Sequence, residues 1–577
     1  MNPFQRPYVE EIAAQAAAAL SLPLDCVAAA VELPRDLSLG DFALPCFRFA
    51  KEKRLPPASL ASQVAAAFHP TRYLASAQAV GPFVNFRLVP PARAERALRA
   101  IHEQGLAFGG EKPGTGKRIV IDYSSPNIAK PFHIGHLRST VIGNALANLF
   151  ELLGYEIVRV NHLGDWGTQF GYLMAAWQRE EWRAEADAAE SEPIRRLFRL
   201  YVRGNQEDEH GNPALADEAR SWFRRLETGD PKAVALWKSF KEISLSYFDK
   251  IYTRLGVRFD HTTGESFFED KMAPLVEKAR ASGVAEESEG AFVIHTNEDG
   301  PPLILLKKDG GTTYATRDLA AALYRHDEYA FEQNLYVVGS TQQLHFQQLF
   351  AALALLGFEW AGRCHHIAFG KILGLSTRKG NVIWLEEVLD EAVERAREKA
   401  KENPELVEDI EGTAERVGIG AVVFHDFLAR RIKDLEFSWE AVLNFQGDSG
   451  PYVQFSHVRT CGILRKAGSS ASPDSERACA TPDVDFSLLS LPEDRCLVAL
   501  LEAWPEKLII AAEEYEPFVV ARYLLELSGL FHSYLEKHRV LSDDKSLTAA
   551  RLLLVDSVRR ILAGGLELLG VQAPDRM

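Results

Sequence analysis

Apolar positions recur every three to four residues from Tyr8 to Leu20 and from Ser59 to Phe68, which predicts two helices with one buried stripe each. Phe83-Val84-Asn85-Phe86-Arg87-Leu88 reads as a short strand closing this first stretch, residues 1–113. The turn-rich run Gly109-Gly110-Glu111-Lys112-Pro113-Gly114-Thr115-Gly116 then reads as a linker.

Beyond it the period changes. Arg118 to Tyr123 is a β-branched run, His136 to Leu153 has helical spacing, and Tyr155 to Asn161 reads as a second strand. Strand, helix and strand in that order form a βαβ unit of a parallel sheet. A charged helical insertion is expected at about 178–250, after which strand-like pieces return at Leu303–Leu306, Leu335–Val338 and His366–Phe369. They alternate with helices from Ala315 and Leu344. Residues 114–385 therefore predict an α/β, doubly wound parallel-sheet (Rossmann-like) core with an insertion. From Trp384 onward the pattern is helical, a connecting region over 386–447 and an all-α stretch over 448–577. The Ser/Asp/Pro-rich break from Ala467 to Asp485 reads as a loop or linker. On this linear division a chain cut near Asn444 keeps a foldable α/β core.

Composition narrows the class without naming a substrate. The apolar fraction of 47% and charged fraction of 25% are those of ordinary globular proteins. The Ala13–Leu20 run follows Glu10 and Glu11, where an export signal would be basic, and apolar stretches fall short of the ~20 residues that span a bilayer. The expectation is a cytoplasmic chain with no membrane partner. The six cysteines form no C-x-x-C pair, so neither a tightly held metal site nor a disulfide framework is expected. A net charge of −15 is not the footprint of a wholly basic nucleic-acid binder, and leaves room only for local basic patches.

The candidate chemistry starts where the first core strand ends, in Asp122-Tyr123-Ser124-Ser125-Pro126-Asn127-Ile128-Ala129-Lys130-Pro131-Phe132-His133-Ile134-Gly135-His136. Ligands of open α/β sheets bind beyond the carboxyl ends of the strands. Pro131 suits a helix start, and His133 and His136 are spaced for one helix face. Free N–H groups at a helix N-terminus suit phosphate, and Gly135 leaves room for a flat base. An H-x-G-H run by itself is also compatible with two ordinary surface histidines. The full run to Thr140, continued by Gly164-Asp165-Trp166-Gly167-Thr168-Gln169-Phe170-Gly171, resembles the arginine-specific branch of the class I aminoacyl-tRNA synthetases.

That resemblance implies a class I synthetase core between a small α+β N-terminal tRNA-contacting domain and a helical anticodon-binding domain. The reaction it implies is ATP-dependent formation of arginyl-adenylate, then transfer of arginine to the 3′-terminal adenosine of tRNA(Arg). His133 and His136 would act on the ATP phosphates, Gly135 would border them, and Mg²⁺ would accompany the pyrophosphate. Ser125, Asn127, His136, Tyr314, Asp318 and Gln342 would line the arginine pocket. Tyr314 and Asp318 are spaced i,i+4, so ring and carboxylate share a face suited to a planar cation. Asp122 is a candidate second carboxylate, and Gln343 competes with Gln342 for the substrate's polar end.

After the last core strand, Gly370-Lys371-Ile372-Leu373-Gly374-Leu375-Ser376-Thr377-Arg378-Lys379-Gly380 departs from the K-M-S-K-S loop of class I enzymes. Gly374 and Thr377 stand where its two lysines belong. ATP contacts are expected from Ser376, Thr377, Arg378 and Lys379, with Lys371 an alternative to the last two. Lys130, just ahead of the histidines, is a candidate catalytic replacement for the missing charge. In the helical domain Tyr452, Gln454, Phe455, His457 and Arg459 are candidate tRNA contacts, since aromatics and basic groups suit unpaired bases. A monomer is expected. Two rivals share parts of this pattern, a small nucleotidyltransferase with H-x-G-H and a catalytically silent RNA-binding relative.

Overall fold

The computed structural model describes residues 3–34, 36, 39–209, 213–297, 300–374, 383–402, 409–468 and 484–577. Its centre is a five-stranded sheet of β1 (Arg118–Asp122), β2 (Glu156–Leu163), β3 (His261–Gly264), β4 (Gln333–Tyr336) and β5 (Cys364–His366). The strands are all parallel and lie in the order β5-β4-β1-β2-β3. The winding reverses between β1 and β4, so a crevice opens there at the strands' carboxyl ends. Both faces are covered, as a parallel sheet requires. Ile119 and Ile121 face one core with helix α1 (Ile134–Leu152), while Val120 faces another with Leu319 and Leu353.

Four sequence expectations move. Leu303–Leu306 is a strand, but it pairs antiparallel with Ala291–Ile294 in a separate three-stranded sheet. A short apolar run fits either sheet type, and here the preceding hairpin captures it. The fifth core strand is instead β3, which lacks an apolar run. Leu335–Val338 and His366–Phe369 shift two residues earlier, because Val337 leaves the ladder for Asp122 O and Val338 O accepts His366 Nε2. Pro131 does not open α1. Phe132 and His133 stay extended against residues 383–385, and the helix begins at Ile134.

The insertion is helical, with α2 (Pro231–Leu255) packing back on the core. Helices α3 (Tyr314–Tyr329) and α4 (Gln343–Leu355) flank β4. Then come α5 (Leu385–Lys401), α6 (Ile410–Asp426), α7 (Gly450–Lys466) and, near the C-terminus, α8 (Lys545–Leu568). The C-terminal helices share the core of the sheet: Ile119, Leu146, Leu497, Trp504 and Leu562 belong to one continuous cluster. The N-terminal unit keeps its own core, with Tyr8, Leu44, Val84 and Phe86. It is tied to the C-terminal helices by Tyr8 Oη donating to Glu502 at 2.7 Å and by Arg93, which lies 2.7 Å from Glu502 and 2.8 Å from Asp41. Glu502 is fully buried.

Candidate active site

The loop after β1 borders the crevice and holds strained backbone. Ser124, Ser125 and Ala129 have φ of 71°, 49° and 59°, a region that costs non-glycine residues about 1–3 kcal/mol each. Neighbours over-determine it. Ser124 N donates to Ser139 Oγ at 2.9 Å, Ser125 N to Asn161 Oδ1 at 3.2 Å and Ala129 N to Ser244 Oγ at 2.9 Å. Ser139 Oγ in turn donates to Val337 O, tying this loop to the one after β4. Asn127 is exposed at the crevice and bridges to Gly164. Any Cβ on Gly164 would fall 2.0 Å from Asn127 Oδ1, which is why the G-D-W-G turn starts with glycine.

The histidines form a compact pair, ring centroids 3.9 Å apart. His133 is the N-cap of α1, its Nδ1 accepting from Gly135 N at 3.0 Å, and His136 Nδ1 accepts from His133 N at 3.1 Å. Burial and then the neighbouring Lys130 hold His133 below its usual range. Burial, then His133, push His136 down to about 3. Both rings are neutral at neutral pH, and an accepting Nδ1 leaves the proton on Nε2. Each ring thus presents one N–H donor beside the free amides of a helix N-terminus, an arrangement made for phosphate oxygens. A Cβ on Gly135 would lie 2.7 Å from His133 Cε1, so the glycine keeps the capping ring in place. Lys130 Nζ sits 5.1 Å from the centroid of the Tyr201 ring, on the helical insertion.

The acidic side lies across the crevice. Asp318 Oδ2 is 2.7 Å from Nε2 of the buried His345, whose ring lies 5.0 Å from that of the largely exposed Tyr314. Asp122 is committed to the chain's own groups, accepting from Arg325 at 2.7 Å and from Ser125 Oγ at 2.9 Å. With its charge matched by a buried guanidinium, it positions the serine and is not a free second carboxylate. Glu265, just after β3, takes that place. Burial raises its carboxyl to about 7, against Arg317, with Asp318 and Asp165 raising it further. His345 and Glu265 were missed from the sequence. His345 sits in the quoted G-S-T-Q-Q-L-H run, and Glu265 follows a strand the pattern did not reveal. Gln342 ends a short 3₁₀ turn and Gln343 opens α4, both exposed.

Lys371 is described, its N–H donating to Asp434 Oδ1 at 2.7 Å. Ser376, Thr377, Arg378 and Lys379 lie outside the described residues, as does most of the 467–485 break. In α7 two expected RNA contacts are turned inward. Gln454 is fully buried and donates to the carbonyls of Arg416 and Gln572, and His457 Nδ1 pairs with Pro574 O at 2.9 Å. His457 belongs to a buried trio in which the Cys461 thiol donates to Asp575 at 3.5 Å, pinning the C-terminal tail. Both residues are structural. Tyr452, Phe455 and Arg459 occupy the other face, the two rings 5.0 and 6.1 Å from His532.

Three family models match consecutive stretches of the chain. An arginyl tRNA synthetase N terminal domain matches residues 8–88, a class I (R) tRNA synthetase catalytic domain 99–439 and a DALR anticodon binding domain 453–577. The chain is 41% identical to an arginine–tRNA ligase of Halothermothrix orenii over 95% of both chains. It is 45% identical to one of Ligilactobacillus salivarius over 96% of both. Among solved structures, Thermus thermophilus arginyl-tRNA synthetase superposes with a TM-score of 0.80 at 27% identity, covering 99% of this chain and 100% of that one.

Proposed function

The chain belongs to the arginyl-tRNA synthetase family of class I aminoacyl-tRNA synthetases, and on that footing we propose which of its residues hold ATP, which hold arginine and which meet RNA. The enzyme activates L-arginine with ATP, releasing pyrophosphate, and transfers arginine to tRNA(Arg) for protein synthesis. The observation that carries the residue assignment is the crevice itself, with two neutral N–H donors at one side and Asp318 at the other.

In this reading the arginine guanidinium lies against Asp318 with Tyr314 over its flat face, and Glu265 lines the same end. Ser125, Asn127, His136 and Gln342 hold the α-amino and carboxylate end. A carboxylate oxygen then attacks the α-phosphorus of ATP, and the bond to the pyrophosphate oxygen breaks. His133 and His136 donate Nε2–H to the phosphate oxygens as charge builds, beside Gly135 and the amides of α1. Lys130 supplies the ammonium that the second loop lacks, with Ser376, Thr377, Arg378 and Lys379 on the phosphates' far side. The shifts of the two histidines come from burial, each other and Lys130. With no carboxylate among those causes, Mg²⁺ arrives as the counter-ion of the triphosphate, and the protein needs no tight metal site of its own. The 3′-terminal hydroxyl of tRNA next attacks the acyl carbon and AMP leaves. Tyr452, Phe455 and Arg459 face the anticodon side, and residues 1–113 meet the RNA elsewhere.

The division into 1–113, 114–385, 386–447 and 448–577 belongs to this proposal, as do a monomeric state and a cytoplasmic setting. No helix of the described residues is long and apolar enough to cross a membrane.

ATP–pyrophosphate exchange tests the reading. It should require arginine, reject lysine by more than a thousandfold and depend on bound tRNA, because a pocket carboxylate left without its planar partner is costly. Equal exchange with lysine would remove the Asp318 assignment. Brisk exchange in RNA-free enzyme would remove the tRNA requirement.

A further inference from the structure

One turn behind the histidines, Arg138 is buried on α1 with 1% of its side chain exposed. Its Nε lies 3.1 Å from Oδ2 of the equally buried Asp426, the last residue of α6. Nη1 donates to the carbonyl of Lys433 at 2.8 Å. Nη2 is buried with no hydrogen-bond partner.

Lys433 sits in a strap that closes on the base of the second loop. Gly370 N donates to Arg431 O at 2.9 Å, Lys371 N to Asp434 Oδ1 at 2.7 Å, and Leu435 N to Lys371 O at 2.8 Å. Residues Ile372–Leu373 pair in parallel with Leu435–Glu436. The contact is tight, since a Cβ on Gly370 would fall 2.5 Å from Lys433 O. The same carbonyl is therefore pressed by the second loop and gripped from the histidine helix. The other anchor, α6, carries the RNA module along its length: Gln454 of α7 bonds to Arg416 O, and Gly420 packs against Gln454 and Val571.

We propose that Arg138 and Asp426 are positioning residues for arginine activation. The pair fixes the spacing between the two segments that hold the ATP phosphates and refers both to the helix on which the RNA module rests. This inference rests on the reading of His133 and His136 as phosphate donors.

Stability does not explain the arrangement. A buried ion pair exchanged for apolar groups of similar volume is often neutral or more stable, and an unpaired buried guanidinium nitrogen is a further cost. A planar guanidinium does what apolar packing does not: it bonds in fixed directions to two segments at once. Reacting groups displaced by ~1 Å lose about 10²-fold in rate, so the spacing is worth holding.

The experiment compares Arg138→Met combined with Asp426→Leu, which removes both charges together, with Arg138→Lys, which keeps charge but loses the fork. Thermal melting reports folding. Arginine-dependent pyrophosphate exchange with tRNA present reports kcat and the separate KM values for ATP and arginine. The double variant should fold, with KM for ATP raised about tenfold or more, kcat reduced, and KM for arginine within twofold of wild type. Arg138→Lys should show the same ATP-side defect in milder form, and it carries the test alone if the double variant does not fold. Wild-type ATP kinetics in a folded variant, or equal movement of both KM values, would overturn the proposal. His136→Asn in the same assay separates the two readings. If it leaves ATP kinetics untouched, the phosphate assignment falls; if it is crippled while the Arg138 variants are normal, only the positioning role falls.

Discussion

Asp318 sits between two partners, the His345 imidazole it already touches and the guanidinium proposed for it. Asp318→Asn keeps the shape and removes the charge. Arginine-dependent exchange should fall by several kcal/mol in the transition state, as on breaking a buried charge pair, while ATP binding survives. Activity within about threefold of wild type would contradict the pocket assignment. His136 makes a prediction in pH. Folding holds its pKa near 3, whereas an unfolded histidine titrates near 6.5. As pH falls through 6.5 the unfolded chain takes the extra proton first, so the stability linked to this group is complete above 6.5 and drains away toward 3. Urea titrations at a series of pH values should show a shallower acid decline for His136→Gln, whose side chain does not titrate there. An identical decline in both proteins would place the shift elsewhere.

At the scale of elements, α1 depends on a single missing methyl. Gly135→Ala places Cβ against the His133 ring, displacing the cap and both Nε2–H donors. The exchange rate should drop at least tenfold with little change in helix content by circular dichroism, and an unaffected rate would show that the ring swings aside freely. Local pattern revealed α1 and β1 because both are strongly apolar and bounded by polar loops. It hid β3, whose His-Thr-Thr-Gly run is an edge strand half open to solvent, and Glu265 was hidden with it. The inward turn of Gln454 and His457 was illegible for another reason. The face of α7 that is buried is chosen by residues Gln572 to Asp575, more than a hundred positions later, and no local period carries that information.

For the whole molecule, the linear division into a self-sufficient core and a helical appendix does not describe the packing. Ile119 under the sheet and Leu497, Trp504 and Leu562 in the C-terminal helices fill one core, and Trp504 Nε1 donates to Phe108 O at 3.0 Å. A chain cut near Asn444 loses half the walls of that core. It should therefore fail to show a cooperative thermal transition or native near-ultraviolet dichroism, and not merely lose charging activity. A sharply melting, soluble truncation would restore the picture of independent units. The clasp at Glu502 has a consequence in time as well as in space. Tyr8 and its carboxylate partner are 494 residues apart. At ribosomal rates of about 5–20 residues per second, the first helix of a nascent chain waits roughly 25–100 s for that partner to be made. Arg93 spends the same interval without the buried half of its clasp. The N-terminal unit, with a core of its own, is thus the first part of the molecule to fold and among the last to be locked in place.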